Sequence, residues 1–504
     1  MKKSSLTTAV LAGLAGLVGF AGSAGAVDVN PDGTGQVLIY PYYTVNAGQQ
    51  TYISVVNSTG NGKAVKVRFL EAYNSREVLD FNLFLSPYDV WTGTIFSNAD
   101  AGVGGAGASF GTRDHSCTIP SFAGLPTVGT DLHYQPFSNR AYIGADSDTG
   151  PTDMTRTREG YVELITMADV TGDALAAITH VQNGNPGEGM PACSGANLTS
   201  DNGDFVDPTG GLFGAGQIIS VADGTLYPYV ADAVDGFIET KFFTGSGSLS
   251  PSLQDANTAS LSGPGTARAF IFNGSAGVIT ATYPGASPDS APVDAVSAVF
   301  AAKSLMNEWI ANAAGGQGTD WVVTFPTKRF YVDPGTGLSA AVAPFVYLFG
   351  EADNSTSPPK NGDGQSCVQV GINTFDREEG RPDSGGGDDQ FSPPPKDQPP
   401  SSLCHEVNVI SISEDNTSIL GSTMALNISP YGHSGWLNLD LDPSSSEPHT
   451  MLTSNEGVVF SGLPATGFAA TRLVNGDLGA GVLANYAGAF HHRVEREVST
   501  VQVQ

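Results

Sequence analysis

Apolar and polar residues alternate with a period of two along much of this chain, the mark of strands that bury one face. Residues 36–45 (QVLIYPYYTV) are rich in β-branched and aromatic side chains. Residues 51–57 (TYISVVN) and 64–70 (AVKVRFL) flank Asn61-Gly62, a dipeptide suited to a tight hairpin turn. Within 64–70, Val65, Val67 and Phe69 point one way and Lys66 and Arg68 the other, which predicts one buried and one wet face. Residues 78–85 repeat the device, Pro87 ends it, and 90–96 resumes. Closely spaced short strands of this kind predict an antiparallel sandwich.

The pattern then breaks. Residues 97–158 are dominated by Gly, Ala and Asp with little to bury, and read as a surface loop pinned by Cys117. Strand character returns at 161–167, and 217–221 with 225–230 form a hairpin about Asp223-Gly224. Residues 244–266 (TGSGSLSPSLQDANTASLSGPGT) are small, polar and without period, the best boundary in the chain. Strands are predicted at 267–272 and 278–283. A helix is predicted over 292–312, where Val293, Val296, Val299, Phe300, Met306, Trp309 and Ile310 fall near one helical face; within it, 296–300 also reads as a strand. Further strands are expected at 320–324, 341–349, 405–412, 422–428, 435–441, 457–460, 468–474 and 482–490. Between them, 351–403 holds acidic residues, three consecutive glycines and proline clusters, and reads as a long exposed excursion. The fold class is therefore mainly β: two antiparallel sandwich-like domains, 27–245 with the insertion 97–158 and 246–504 with the insertion 351–403, plus one or two short helices.

The first residues change the picture. Lys2 and Lys3 precede an uncharged run from Leu6 to Phe20, and Ala24-Gly25-Ala26 fits a small-residue cleavage site. These are the parts of a secretory signal peptide over 1–26, with the mature chain starting at Val27. No later apolar run reaches the roughly 18 residues a spanning helix needs. The expected location is extracellular or at the cell surface, with the periplasm as the other compartment. The formal charge of −28, or −30 without Lys2 and Lys3, disfavours nucleic acid and anionic membranes as partners.

The four cysteines, Cys117, Cys193, Cys367 and Cys404, read as two disulfides in an exported protein. Three connectivities are open. Cys117–Cys193 with Cys367–Cys404 is preferred, because each pair brackets one loop-rich segment. Each closed loop contributes on the order of 4 kcal/mol in the chain-entropy model.

Few motifs carry chemistry. Gly102-Val103-Gly104-Gly105-Ala106-Gly107 spells a dinucleotide loop without the strand and helix that it needs. Gly432-His433-Ser434-Gly435-Trp436 resembles a hydrolase elbow until its last position, which should be glycine. His405-Glu406 lacks the second histidine of a zinc helix, since Val409 stands there. His491 and His492 face opposite sides of a strand and form a basic patch with Arg493 and Arg496. Asp146-Ser147-Asp148 opens like a calcium loop but lacks its glycine and glutamate. A looser calcium cage from Asp146, Asp148, Asp201, Asp204 and Asp207, or from Asp383, Asp388 and Asp389, stays open; otherwise no cofactor is expected.

Two stretches are familiar, 319–328 (TDWVVTFPTK) and 481–493 (GVLANYAGAFHHR), the latter preceded by GLPATGFAATRLVNG. They resemble a group of uncharacterised exported surface-type proteins of Gram-negative bacteria. That resemblance implies export and surface display, and brings no catalytic residue.

These readings predict an exported, non-catalytic structural or adhesive protein, its partner a second copy or another surface component. The apolar ends 27–29 and 494–503 are the expected pairing edges of a layer or filament subunit. The alternative is a glycan- or ligand-binding surface module with Tyr40, Tyr42, Tyr43 or Trp91 on an exposed sheet face. The third reading is a secreted hydrolase, which a cleft with paired carboxylates or a serine–histidine contact would favour.

Overall fold

A computed structural model describes residues 25–181, 189–256, 266–273, 277–284, 291–312, 316–336, 342–350, 364–378, 401–430, 432–444, 447–477, 479 and 483–502. It is mainly β, with almost every strand pair antiparallel. Residues 1–24, which hold most of the expected leader, and most of 351–403 lie outside the described residues.

Four sheets carry the architecture. The first has eight strands, with Val37–Thr44, Glu159–Val170, Gly62–Glu71 and Glu77–Leu85 side by side at its centre. The second has seven, among them Thr225–Val230, Leu212–Ser220, Gln50–Asn57 and Val90–Ser97 in that order. Phe69 and Phe81 of the first sheet meet Phe110 and Trp91 of the second at ring distances of 4.9 and 5.9 Å. The third, five-stranded, contains Val368–Asp376, Ser434–Asp440 and Ser304–Ile310. The fourth, also five-stranded, contains Val407–Ile412, Gly318–Thr324, Thr466–Asp477 and Leu483–His491. Its strands show one face to the third sheet through Trp321, Val323, Ile410 and Ile412. The other face, with Val322, Val409 and Phe468, joins the core of the first two sheets. That core thus spans both sides of the 244–266 segment.

Several expectations are corrected. The strands flanking Asn61-Gly62 do not form a hairpin: Gln50–Asn57 pairs with Leu212–Ser220 and Val90–Ser97, while Gly62–Glu71 pairs with Glu159–Val170 and Glu77–Leu85. The turn carries the chain from one sheet to the other. Within the expected 97–158 loop, Ala108–Thr112 is a wholly buried strand. Phe110 there packs on Trp91 at 5.4 Å, an anchor too short to show as a period. The helix stops at Phe300, and Ser304–Ile310 is a strand pairing with Ser434–Asp440. Leu305 and Trp309 face the core with a period of two, so the helical spacing of Met306, Trp309 and Ile310 was coincidental. Residues 342–349 form no strand.

The face of Lys66 and Arg68 is not wet. Both side chains are buried, with Lys66 on Asp80 and Arg68 on Glu77 at 2.7 Å and Glu163 at 3.0 Å. The segment after the first sheet crosses over it: Phe242 N–H donates to Met167 O, and Asn82 Nδ2 to Thr244 O. The apolar ends are also occupied. Asp28–Val29 pairs with Asp232–Asp235, Arg493–Glu495 with Ser304–Ile310, and Glu497–Thr500 with Val458–Ser461. Each is paired on one side within the chain and is the outermost strand of its sheet.

Candidate functional site

The aromatic residues expected on an exposed face are all in the core. Tyr40, Tyr42, Tyr43 and Trp91 are fully buried. Val37–Thr44 is an interior strand covered on both faces, which is why its sequence is a continuous apolar run. Tyr40 Oη donates to Ser54 O at 2.6 Å, Tyr42 Oη to Glu159 at 3.0 Å and Tyr43 Oη to Thr157 O at 3.2 Å. Burial drives all three phenols well above their usual range.

The structure disperses the acidic candidates. Asp148 is buried in a cluster in which Arg156 clasps Glu71 with two bonds, 2.8 and 2.9 Å, and donates from Nη1 to Asp148 at 3.0 Å. Burial pushes the Asp148 carboxyl up, but Arg156, Asn74 and Arg76 outweigh it and hold the carboxyl below its usual range. Asp201 pairs with Lys241 at 2.7 Å, Asp204 accepts from Ala174 N–H at the start of a short helix, and Asp207 accepts from Lys241 N–H. Asp146 is exposed. Among the described residues no group of three or more His, Cys, Asp or Glu side chains is placed to hold a metal ion. Asp383, Asp388 and Asp389 lie outside the described residues.

The disulfides are Cys117–Cys193 and Cys367–Cys404. They mark an oxidising environment. No described helix is long and apolar enough to cross a membrane. Beside the second disulfide, burial pushes Glu406 up to about 8, against the nearby charge of Lys328. It pulls Lys328 down to about 8 and His405 to about 3. Lys328 Nζ donates to the carbonyls of Cys404 and His405 at 3.2 and 3.3 Å. His405 packs on Tyr73 with ring centroids 4.4 Å apart, and Glu406 N–H donates to Tyr73 O, so this buried cluster joins the two halves of the chain. His492 is buried on Trp321, while His491 is exposed near Asp232, so the adjacent histidines face opposite sides.

A serine–histidine contact exists, Ser86 Oγ to His180 Nδ1 at 3.2 Å. Asp89 Oδ2 approaches the same ring nitrogen at 3.5 Å. A nucleophile relay needs the serine and the carboxylate on opposite ring nitrogens. Here Asp89 also accepts Ser86 N–H at 3.0 Å, which closes a turn. A cleft of about 820 Å³ is lined by Arg76, Asp80, Arg140 and Arg329 among others. Arg76 and Arg329 are engaged by Asp333, and Asp80 by Lys66.

Two exposed sheet faces stand apart. The outward positions of the second sheet are Val90, Thr92 and Thr94; Gln50, Tyr52, Ser54 and Val56; Phe213, Ala215, Gln217 and Ile219; and Leu226, Pro228 and Val230. Register puts them in rows, such as Thr92–Ser54–Ala215–Val230. None of them is Asp, Glu, Lys, Arg or His. On the third sheet, Trp436 is stacked on Phe375 across paired strands, with ring centroids 4.4 Å apart and planes 9° apart. Gly435 permits this approach: a Cβ there would lie 1.8 Å from the carbonyl oxygen of Phe375.

No protein-family model matches the chain, and no curated protein or solved structure is significantly similar to it. Any function must be argued from its own surface.

Both faces left a signal in the sequence. The four strands of the charge-free face contain no charged residue at either parity, unlike GKAVKVRFLE or EVLDFNLFL. Trp436 is in phase with Asn438 and Asp440 and out of phase with Leu437, Leu439 and Leu441. An aromatic residue in the polar register of a strand belongs to the wet face.

Proposed function

We propose that the chain is an exported, non-catalytic structural protein of the cell surface that associates with further copies of itself through the outer face of the seven-stranded sheet. The observation that carries this reading is the lack of charge on that face in a chain of net charge −28. Copies of so acidic a molecule repel one another across most orientations. The charge-free face lets two copies meet without placing like charges opposite each other. Phe213, Leu226, Val90 and Val230 there are exposed large apolar side chains.

Four strands about 4.8 Å apart and about seven residues long cover roughly 450 Å² of flat area. That is below the roughly 600–1,000 Å² per partner of stable specific interfaces and in the range of weak, transient ones. The association is accordingly weak and depends on concentration, as suits a subunit that assembles only when crowded at a surface.

Sedimentation velocity over a concentration series tests the proposal. The mature chain should show a rising weight-average mass that Ala215→Glu, at the centre of the face, abolishes without changing the melting temperature. A wild type that stays monomeric to its solubility limit, or an A215E protein that associates equally well, overturns it.

A further inference from the structure

We propose that the side chains of Lys63 and Asp169 condense after folding into an isopeptide bond, a covalent staple between two strands of the first sheet. This inference is independent of self-association through the second sheet. Lys63 stands at the start of Gly62–Glu71 and Asp169 near the end of Glu159–Val170, and the two are direct cross-strand partners. Lys63 Nζ lies 2.7 Å from Asp169 Oδ1, and the two side chains are 0% and 3% exposed. The other lysine–carboxylate pairs among the described residues, those of Lys66, Lys241 and Lys303, leave their carboxylates at least 14% exposed. Neither disulfide links these two strands.

A sealed ion pair is costly, because both groups give up their hydration. Burial pulls the Lys63 amine below its usual range, against the attraction of Asp169 and, through space, of Asp235. Thr209 orients both reactants. Its N–H donates to Asp169 Oδ1 at 3.1 Å, and its carbonyl accepts from Lys63 Nζ at 2.8 Å. Its hydroxyl stands 2.6 Å from Nζ and 2.7 Å from Asp169 Oδ2. That hydroxyl can take a proton from Nζ while giving its own to Oδ2. The relay turns ammonium and carboxylate into neutral amine and carboxylic acid, the pair that reacts.

The step balances. Nζ attacks Cγ, and the Nζ–Cγ bond forms as Cγ–Oδ1 breaks. Of the three ammonium protons, one stays on the amide nitrogen and two leave with Oδ1 as water. Oδ2 remains as the amide oxygen. Charge that gathers on it during attack is met by Thr209 and by Asn61, whose Nδ2 donates to it at 2.8 Å. No oxidant, reductant or cofactor enters, and exclusion of bulk water protects the amide from hydrolysis.

Intact-mass measurement of the purified mature chain under denaturing conditions, with a tryptic digest, tests the proposal. The expected mass is that of the sequence less one water, after the hydrogens lost to the two disulfides are allowed for. The digest should lack cleavage at Lys63 and contain a branched peptide that joins it to the segment carrying Asp169. Lys63→Arg, which keeps the ion pair and cannot form this amide, should show no loss of water. Thr209→Ala should slow appearance of the product by roughly a hundredfold, as loss of a proton relay does. A folded wild-type chain that keeps its full mass after prolonged incubation overturns the proposal. So does a water loss that survives K63R or maps to other residues. The wild-type mass and digest decide the outcome, so a variant that folds poorly leaves the test intact.

Discussion

The two faces of the first sandwich that point away from its core are opposites. On the first sheet the outer face is rich in charge, with Lys66, Arg68, Asp80, Glu77 and Glu163, and it is buried. On the second sheet the outer face carries no charge, and it is open to solvent. The usual association of charge with water is inverted. Alternation along a strand shows which residues share a face, but whether that face is covered depends on what the rest of the chain lays over it. Buried charges persist because each is paired and hydrogen-bonded, and breaking one pair strands its partner.

The largest expected effect breaks the buried side of this comparison. Arg68→Met leaves Glu163 and Glu77 without their cation and should lower stability by about 3–5 kcal/mol, read by urea denaturation. Adding Glu163→Gln should recover part of that loss, since an uncompensated charge is worse than a neutral pair. A loss below the effect of an ordinary surface substitution would mean that the covered face is solvated.

Acidity sharpens the same contrast. Glu406 has a folded pKa of about 8 against 4.5 unfolded, and Asp294 about 7 against 3.8, burial being the main cause in both. A raised folded pKa gives stability that is complete below the unfolded value and lost as pH rises through the folded one. Lys328 is lowered to about 8 from 10.5, so its contribution is present above 10.5 and lost as pH falls through 8. Stability should therefore decline from about pH 5 toward pH 8 and recover above it, with urea midpoints as the readout. Glu406→Gln should flatten the falling limb. The exposed uncharged face has no such titration.

The smallest effect on stability belongs to the open face. Ala215→Glu, and likewise Thr92→Lys, should change the unfolding free energy by no more than about 0.5 kcal/mol. Their effect should appear in self-association instead. A large destabilisation would mean that something in the folded chain covers this face.

Much of the fold is legible in the chain. The strands near 64–70, 78–85, 225–230 and 435–441 follow from alternation. The error at 292–312 came from residues whose spacing fits two periods, and only pairing with Ser434–Asp440 decided between them. The strand Ala108–Thr112 was hidden because ASFGT has one large anchor and draws its stability from Phe69, Phe81 and Trp91. The site was less legible. Tyr40, Tyr42 and Tyr43 attracted notice by number, although a continuous apolar run marks a doubly covered strand. Trp436 was noticed only as the residue that breaks a hydrolase-elbow motif, yet its register alone puts it on the wet side; its stacking on Phe375 required the pairing of strands some sixty residues apart in sequence.

By itself the sequence determined the β class, the approximate place of the strands with clear alternation, and the acidic, disulfide-forming character of the chain. These are local or additive properties, set by a two-residue pleat and by composition. Only the tertiary structure decided which faces are sealed, that Lys66 and Arg68 lie inside, that the two apolar ends pair internally, and that Phe375 meets Trp436. Each of those depends on which distant segment comes to rest against which strand, and a pleat carries no record of its neighbours.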